Sequence, residues 1–154
     1  MSSTRLKAFL DGRGVKYVTL RHSPAFTAAE VAASTHVTGR DFAKTLVVNI
    51  DGDLAMVVLP ATRRLVLSDL REMLENARVQ LATEAEFLSR FPDCEVGAMP
   101  PFGNLYDMPV FVASSLSDEP EIAFNAGTHT EVIKMGYEDF ERLVNPTVLD
   151  FITT

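Results

Sequence analysis

The chain is short of cross-linking chemistry. Cys94 is the one cysteine among 154 residues. A lone cysteine excludes an internal disulfide and a cysteine-rich metal site, and this usage fits a reducing, cytoplasmic compartment. Long hydrophobic runs are also missing. The longest candidates, Thr45–Ile50 and Leu54–Pro60, are strand-sized, well short of the roughly 18 apolar residues that a membrane helix needs. The first residues, MSSTRLKAFLDGRG, carry charges within every apolar window and do not read as a signal peptide. Positive charge is scarce: 14 Lys and Arg stand against 21 Asp and Glu, a net charge of −7. Non-specific nucleic-acid binders draw their affinity from many phosphate contacts, so this balance argues against one. It leaves room for an enzyme that touches a single nucleic-acid end through a local basic patch, for which Arg63 and Arg64 are candidates. What remains is ordinary globular composition, 47% hydrophobic and 23% charged. That is enough for one domain spanning 1–154 with its own core.

Helical and strand patterns alternate along the chain. Ser2 or Ser3 can cap a first helix with Leu6, Phe9 and Leu10 on one face, ended by Gly12 and Gly14. Val15–His22 has strand composition. Thr27–Glu30 forms a capping-box pattern that opens a short helix through about Ser34. Phe42–Ile50 and Leu54–Leu59 flank Asp51-Gly52, a strong hairpin signal, and their continuous apolar content predicts a central, doubly buried pair. Ser68 is expected to cap a helix through about Ala77, with Leu70, Met73 and Leu74 facing the core. Val79–Ala82 reads as a strand, and Thr83–Glu86 repeats the capping box before a helix that Phe91-Pro92 breaks. Pro109–Ala113, Glu121–Asn125 and Glu131–Met135 read as strands. Tyr137–Val144 reads as a last helix stopped by Asn145-Pro146. Three strand runs without long intervening helices predict an α/β fold with a central mixed, largely antiparallel sheet surrounded by helices.

Three places carry residues suited to chemistry. Lys44 stands at the head of a strand that looks buried. An ammonium there is costly unless it snorkels to water or meets ligand oxygens, and on spacing alone snorkelling is the simpler reading. In Gly97-Ala-Met-Pro-Pro101, glycine permits close backbone approach and the prolines stiffen the loop. It reads either as a rigid turn or as a holder of directed amides. Asn125-Ala-Gly-Thr-His-Thr130 puts small residues and a histidine after a strand, as a plain connection or as a pocket wall. His22, His36 and Glu30 lack metal-ligand spacing, Cys94 has no nearby His–Asp arrangement, and Ser114-Ser115 lacks a nucleophile elbow. No nucleotide-binding glycine pattern occurs. The expectation is therefore of no metal and no cofactor.

Taken in order, these segments resemble the YbaK / prolyl-tRNA-synthetase-associated family of aminoacyl-tRNA editing hydrolases. The resemblance rests on His22–Pro24, Lys44–Val48, Val96–Gly103, Asp107–Val110, Phe124–Gly127 and Tyr137–Leu143, and covers the chain from about Leu20 to Val144. It implies hydrolysis of the ester between a wrong amino acid and tRNA by a free-standing member. It also implies that Lys44 matches the essential lysine and that Gly97 and Pro101 match the loop that shapes the aminoacyl pocket. Asn125, Gly127, Thr128 and His129 would line the pocket, with His129 similar to the histidine of the alanine-specific branch. Thr45 departs from that branch, where some relatives carry asparagine. The implied substrate is a small residue, alanine on tRNA for proline first, with serine, threonine or cysteine beside it. The aminoacylated tRNA end is the implied partner, with prolyl-tRNA synthetase or an elongation factor as a carrier. A non-catalytic module that binds the aminoacyl end or a synthetase, and a small-ester hydrolase unrelated to tRNA, are the alternatives.

Overall fold

A computed structural model describes residues 4–21, 41–75 and 77–151. Ser2 and Ser3, the His22–Pro24 stretch, His36 and the helix expected from Thr27 lie outside the described residues. Helix α1 (Thr4–Gly12) buries Leu6 and Leu10 and precedes β1 (Tyr17–Arg21). Gly14 turns the chain at φ +67°.

The expected hairpin is the centre of the fold. β2 (Ala43–Ile50) pairs antiparallel with β3 (Asp53–Pro60), from Ala43 opposite Pro60 to Ile50 opposite Asp53. Asp51 and Gly52 both take positive φ, 51° and 96°, the backbone whose twist suits a two-residue hairpin. Asn49 Oδ1 accepts from the Gly52 amide at 2.8 Å, and Asp51 Oδ1 accepts from the Arg78 amide at 2.8 Å. The second bond ties the turn to β4 (Val79–Leu81), which pairs with β2.

Two further antiparallel strands, β6 (Glu121–Asn125) and β7 (Glu131–Gly136), join β1 in the order β1-β7-β6. The other sheet has the order β4-β2-β3-β5-β8, with β5 (Val110–Ala113) parallel to β3 and β8 (Thr147–Leu149) parallel to β5. The expected mixed, largely antiparallel arrangement is present, divided into two sheets. They touch where Phe42 bridges Ala123 in parallel and the Ala123 amide donates to Asp41 O at 3.0 Å. The main core includes Met56, Val58, Phe102, Phe124, Ile133 and Phe140. A second cluster on the other side of the hairpin gathers Val48, Val57, Leu59 and Leu70.

The helices follow their local signals unevenly. Thr83 caps α3 (Glu84–Phe87) with a full capping box: its Oγ1 accepts from Glu86 N at 3.3 Å, and Glu86 Oε1 accepts from Thr83 N at 2.9 Å. α5 (Tyr137–Val144) buries Tyr137, Phe140 and Val144 and ends where Asn145 turns left-handed at φ 53°. α2 (Leu67–Met73) corrects the expectation at Ser68. The N-cap is Val66, which makes no side-chain cap bond, and the helix is shorter than expected. Leu70 is buried but Met73 is exposed, because the helix stops before a second core-facing turn forms. The short α4 (Ser114–Ser117) and the strand β8 carry no local pattern that announced them.

Candidate active site

Two loops far apart in sequence are joined by hydrogen bonds. The Glu95 amide donates to Gly127 O at 2.8 Å, and the Gly127 amide returns a bond to Ala98 O at 2.9 Å. Glu95 Oε1 accepts from the His129 amide at 2.8 Å. The His129 ring closes the junction, with Nε2 2.7 Å from Val96 O. A carbonyl oxygen only accepts, so Nε2 carries the hydrogen and donates. Gly97 takes φ +84°, and a Cβ added there would lie 3.4 Å from His129 Cε1. The histidine ring therefore lies against a residue whose left-handed backbone favours glycine. Gly127, at φ +99°, completes the pair of left-handed positions.

The Gly127 and His129 amides do not point at a ligand. Both are already bonded within the protein, as is that of Ala98, which donates to Glu95 O at 3.0 Å. Among the described residues, the amides of Gly97, Met99 and Thr128 are the ones in these loops left without an acceptor. Pro101 is buried at the far end of its loop, beside Phe102 in the core. Just beyond, Gly103 is held tight: a Cβ there would meet Met108 O at 2.3 Å.

Lys44 lies at the start of β2, half-buried, opposite Leu59. Strand alternation turns it to the side of Leu46 and Val48, and turns Thr45 to the side of Ala43 and Val47 in the main core. Two residues before Lys44 stands Phe42; two residues before Asn125 stands its bridge partner, Ala123. Lys44 and Asn125 therefore share one side of the junction between the sheets. Gly97 and His129 meet directly, whereas Lys44 joins them through this register and not through a contact. Among the described residues Lys44 makes no ion pair. Burial, and then the nearby Arg64 guanidinium, hold its ammonium below the usual lysine range.

The two arginines separate. Arg64 is exposed and shares the field of Lys44. Arg63 lines a cavity of about 360 Å³ with Pro60, Thr62, Ser115, Asp118 and Glu119, next to carboxylates. Two polar atoms flanking Lys44 are buried without a hydrogen-bond partner: Thr45 Oγ1, next in sequence, and Asn125 Oδ1, across the junction. Burial pushes the Cys94 thiol up to about 11, and Tyr106 Oη lies 3.3 Å from its sulfur. This is the environment of an inert thiol. No group of side chains suited to a metal ion occurs among the described residues. No helix among them is long and apolar enough to cross a membrane. Glu95, which fastens the two loops, went unnoticed in the sequence. An exposed glutamate in a loop has no local signature, and its partner is 34 residues away.

Comparison with known proteins gives the same direction. Residues 22–143 match the family described as the aminoacyl-tRNA editing domain. A curated relative from Escherichia coli K12, the multifunctional Ser/Thr-tRNA deacylase ProXp-y, is 28% identical over 97% of this chain and 92% of its own length. Two solved structures share the fold. One is of a candidate trans-editing enzyme for prolyl-tRNA synthetase: 22% identity, TM-score 0.81, covering 97% of this chain and 96% of that one. The other is of a hypothetical protein: 23% identity, TM-score 0.85, covering 97% and 99%. The chain belongs to the aminoacyl-tRNA editing domain family, whose members are enzymes that deacylate charged tRNA.

Proposed function

We propose that this protein is a trans-editing deacylase for tRNA charged with a small amino acid, and that Lys44 is its positioning cation. The observation that carries the reading is Lys44 itself. It is a half-buried ammonium with no ion pair among the described residues, beside a second cation, in a chain of net charge −7. An uncompensated buried charge is costly. A phosphate of the terminal nucleotide offsets that cost and is held by Lys44 and Arg64 together.

The aminoacyl ester is already activated, so the site needs no strong nucleophile. It has to hold the carbonyl, stabilise the oxyanion and admit a water beside the neighbouring ribose hydroxyl. The water oxygen adds to the carbonyl carbon, the tetrahedral intermediate collapses with cleavage of the ester C–O bond, and the tRNA hydroxyl leaves with the water's proton as the free amino acid is released. The Gly97, Met99 and Thr128 amides are the loop donors left over, from which the oxyanion draws its hydrogen bonds. The bonded loops form a wall that rejects large side chains by shape, with Pro101 anchoring one end. Attraction to a single methylene discriminates by only about 1–3 kcal/mol, so a rigid wall is the stronger selector. His129 acts by holding that wall in place.

The resemblance to the alanine-specific branch favours alanine on tRNA for proline, whereas the name of the Escherichia coli relative favours serine and threonine. The acidic surface attracts tRNA poorly, so delivery by prolyl-tRNA synthetase or an elongation factor, in the cytoplasm, is part of the reading. The test is deacylation of alanyl-, seryl-, threonyl-, cysteinyl- and prolyl-tRNA. Hydrolysis of at least one small-residue tRNA, with prolyl-tRNA spared, supports the proposal. Binding without hydrolysis of any favours a non-catalytic module, and equal turnover of free amino-acid esters favours an unrelated esterase.

A further inference from the structure

The cavity beside Arg63 lies at one end of the five-stranded sheet. β3 and β5 run parallel, with Met56 opposite Val110 and Val58 opposite Val112. Pro60 ends β3, and α4 begins at Ser114, where β5 ends. Pro60, Thr62, Arg63, Ser115, Asp118 and Glu119 line the cavity, so it lies outside the carboxyl ends of both strands. That is an ordinary place for a ligand in an α/β sheet. Its volume of about 360 Å³ is within the range of ligand pockets. Thr62, Arg63, Ser115 and Asp118 are exposed, so a ligand reaches it from solvent.

The register places this cavity next to Lys44. Lys44 stands opposite Leu59, the residue before Pro60, and senses the charge of Arg64, the residue after Arg63. β3 lies between β2 and β5. The lysine and the cavity are therefore about two strand spacings apart, roughly 10 Å. Among the described residues the side chains of Thr62, Arg63, Ser115 and Asp118 make no hydrogen bond or ion pair. The lining is chemically mixed. Its two carboxylates disfavour a simple anion, and its guanidinium disfavours a simple cation. A flat ring with donors and acceptors on one edge suits both.

The phosphate assigned to Lys44 and Arg64 joins the terminal adenosine to the nucleotide before it, and every tRNA ends in cytidine, cytidine, adenosine. Cytosine presents an N4 amine donor beside its N3 and O2 acceptors. A carboxylate accepting from N4 is a recurrent base contact, and a guanidinium donates to ring acceptors. We propose that this cavity is a nucleobase subsite for the penultimate cytosine of the tRNA end, with Arg63 donating to N3 and O2 and Asp118 accepting from the N4 amine. The subsite rests on the deacylase reading above and adds a second grip on the same strand end. It suits a chain of net charge −7, which gathers few phosphates.

The test uses tRNA charged with the small amino acid that wild type prefers, ending either in the natural cytidine-adenosine or in uridine-adenosine. Uracil puts an acceptor, O4, where cytosine has its donor, and a donor, N3–H, where cytosine has an acceptor. Values of kcat and KM are measured for wild type, Arg63→Ala and Asp118→Asn, with the Tm of each protein. Wild type should favour the cytidine end by about 10-fold in kcat/KM, chiefly through KM. Arg63→Ala should lose about 10-fold on the cytidine end and much less on the uridine end. Asp118→Asn, whose amide donates as well as accepts, should bring the two ends within about 3-fold. Both variants should keep the wild-type Tm, since neither side chain is bonded within the fold. A wild type that treats the two ends alike, or variants that keep its preference, overturns the subsite and leaves the deacylase reading standing. A wild type that hydrolyses neither charged tRNA overturns both.

Discussion

The paired loops and the head of β2 solve opposite problems. Around Gly97 and Gly127 the polar groups are mostly satisfied: backbone bonds run both ways, Glu95 holds the His129 amide, and the imidazole holds Val96 O. Around Lys44 little is satisfied. A cation lacks an ion pair, a guanidinium adds to its charge, and a hydroxyl is buried without a partner. The first region is largely finished without substrate and supplies shape, with its few left-over amides kept for the oxyanion. The second is completed by substrate and supplies charge and hydrogen bonds. Stability and activity should therefore separate on one side of the site and move together on the other.

Lys44→Ala should give the largest effect, about a 100-fold loss of kcat/KM on charged tRNA, since a charge-assisted contact and its positioning role vanish together. Its Tm should hold or rise, because a half-buried ammonium without an ion pair is removed. A matching fall in Tm would mean that Lys44 is a structural residue, and the contrast between the two regions would fail.

Gly97→Ala should cost both properties. The left-handed φ of +84° strains any side chain, although the new methyl would meet the His129 ring only in ordinary contact at 3.4 Å. A penalty of about 1 kcal/mol lowers Tm by about 2–4 °C, and displacement of the loop should cost about 10-fold in activity. Thermal melts and single-turnover deacylation measure the two. His129→Ala is milder. It removes one clamp and leaves the Glu95 and Gly127 bonds, so relative rates across the five charged tRNAs should shift by about 3-fold to 10-fold with circular dichroism unchanged. Unchanged relative rates would show that the ring does not shape the pocket.

The smallest effect is one of pH. Lys44 is held below the ordinary lysine value of 10.5 in the fold. Between its lowered value and the unfolded one, the unfolded chain binds more protons than the native chain. The contribution of Lys44 therefore makes the protein more stable as pH rises through that window. Activity should move the other way, falling on the alkaline side as the positioning charge is lost. A profile of kcat/KM should show an alkaline limb with a midpoint below 10.5 that Lys44→Ala lacks.

How much of this was legible follows the range of the interactions. Asp51-Gly52, the Thr83–Glu86 box and Asn145 after α5 are local devices, with donors and acceptors within a few residues, and the structure carries each of them. β8 was missed because it has three residues and gains its identity only by lying against β5, 36 residues earlier at Phe111 and Thr147. α2 was misplaced because Ser68 looked like a cap, while packing of Leu70 set the helix position. In the site, Lys44, Gly97 and the Asn125–His129 segment stand out as residue types at odds with their surroundings. The partition of amides between fold and ligand does not, since it depends on which carbonyl of a distant loop each one meets.

The central claim is that Lys44 grips the phosphate of the terminal nucleotide and not the ester. It is tested most directly with two minimal substrates, an aminoacyl-adenosine carrying the small amino acid that wild type prefers, with and without a 5′-phosphate. Wild type should turn over the phosphorylated form faster by about 10-fold or more, and Lys44→Ala should treat the two alike at the slower rate. An equal loss on both forms in Lys44→Ala would place the ammonium at the reacting carbonyl and contradict the account.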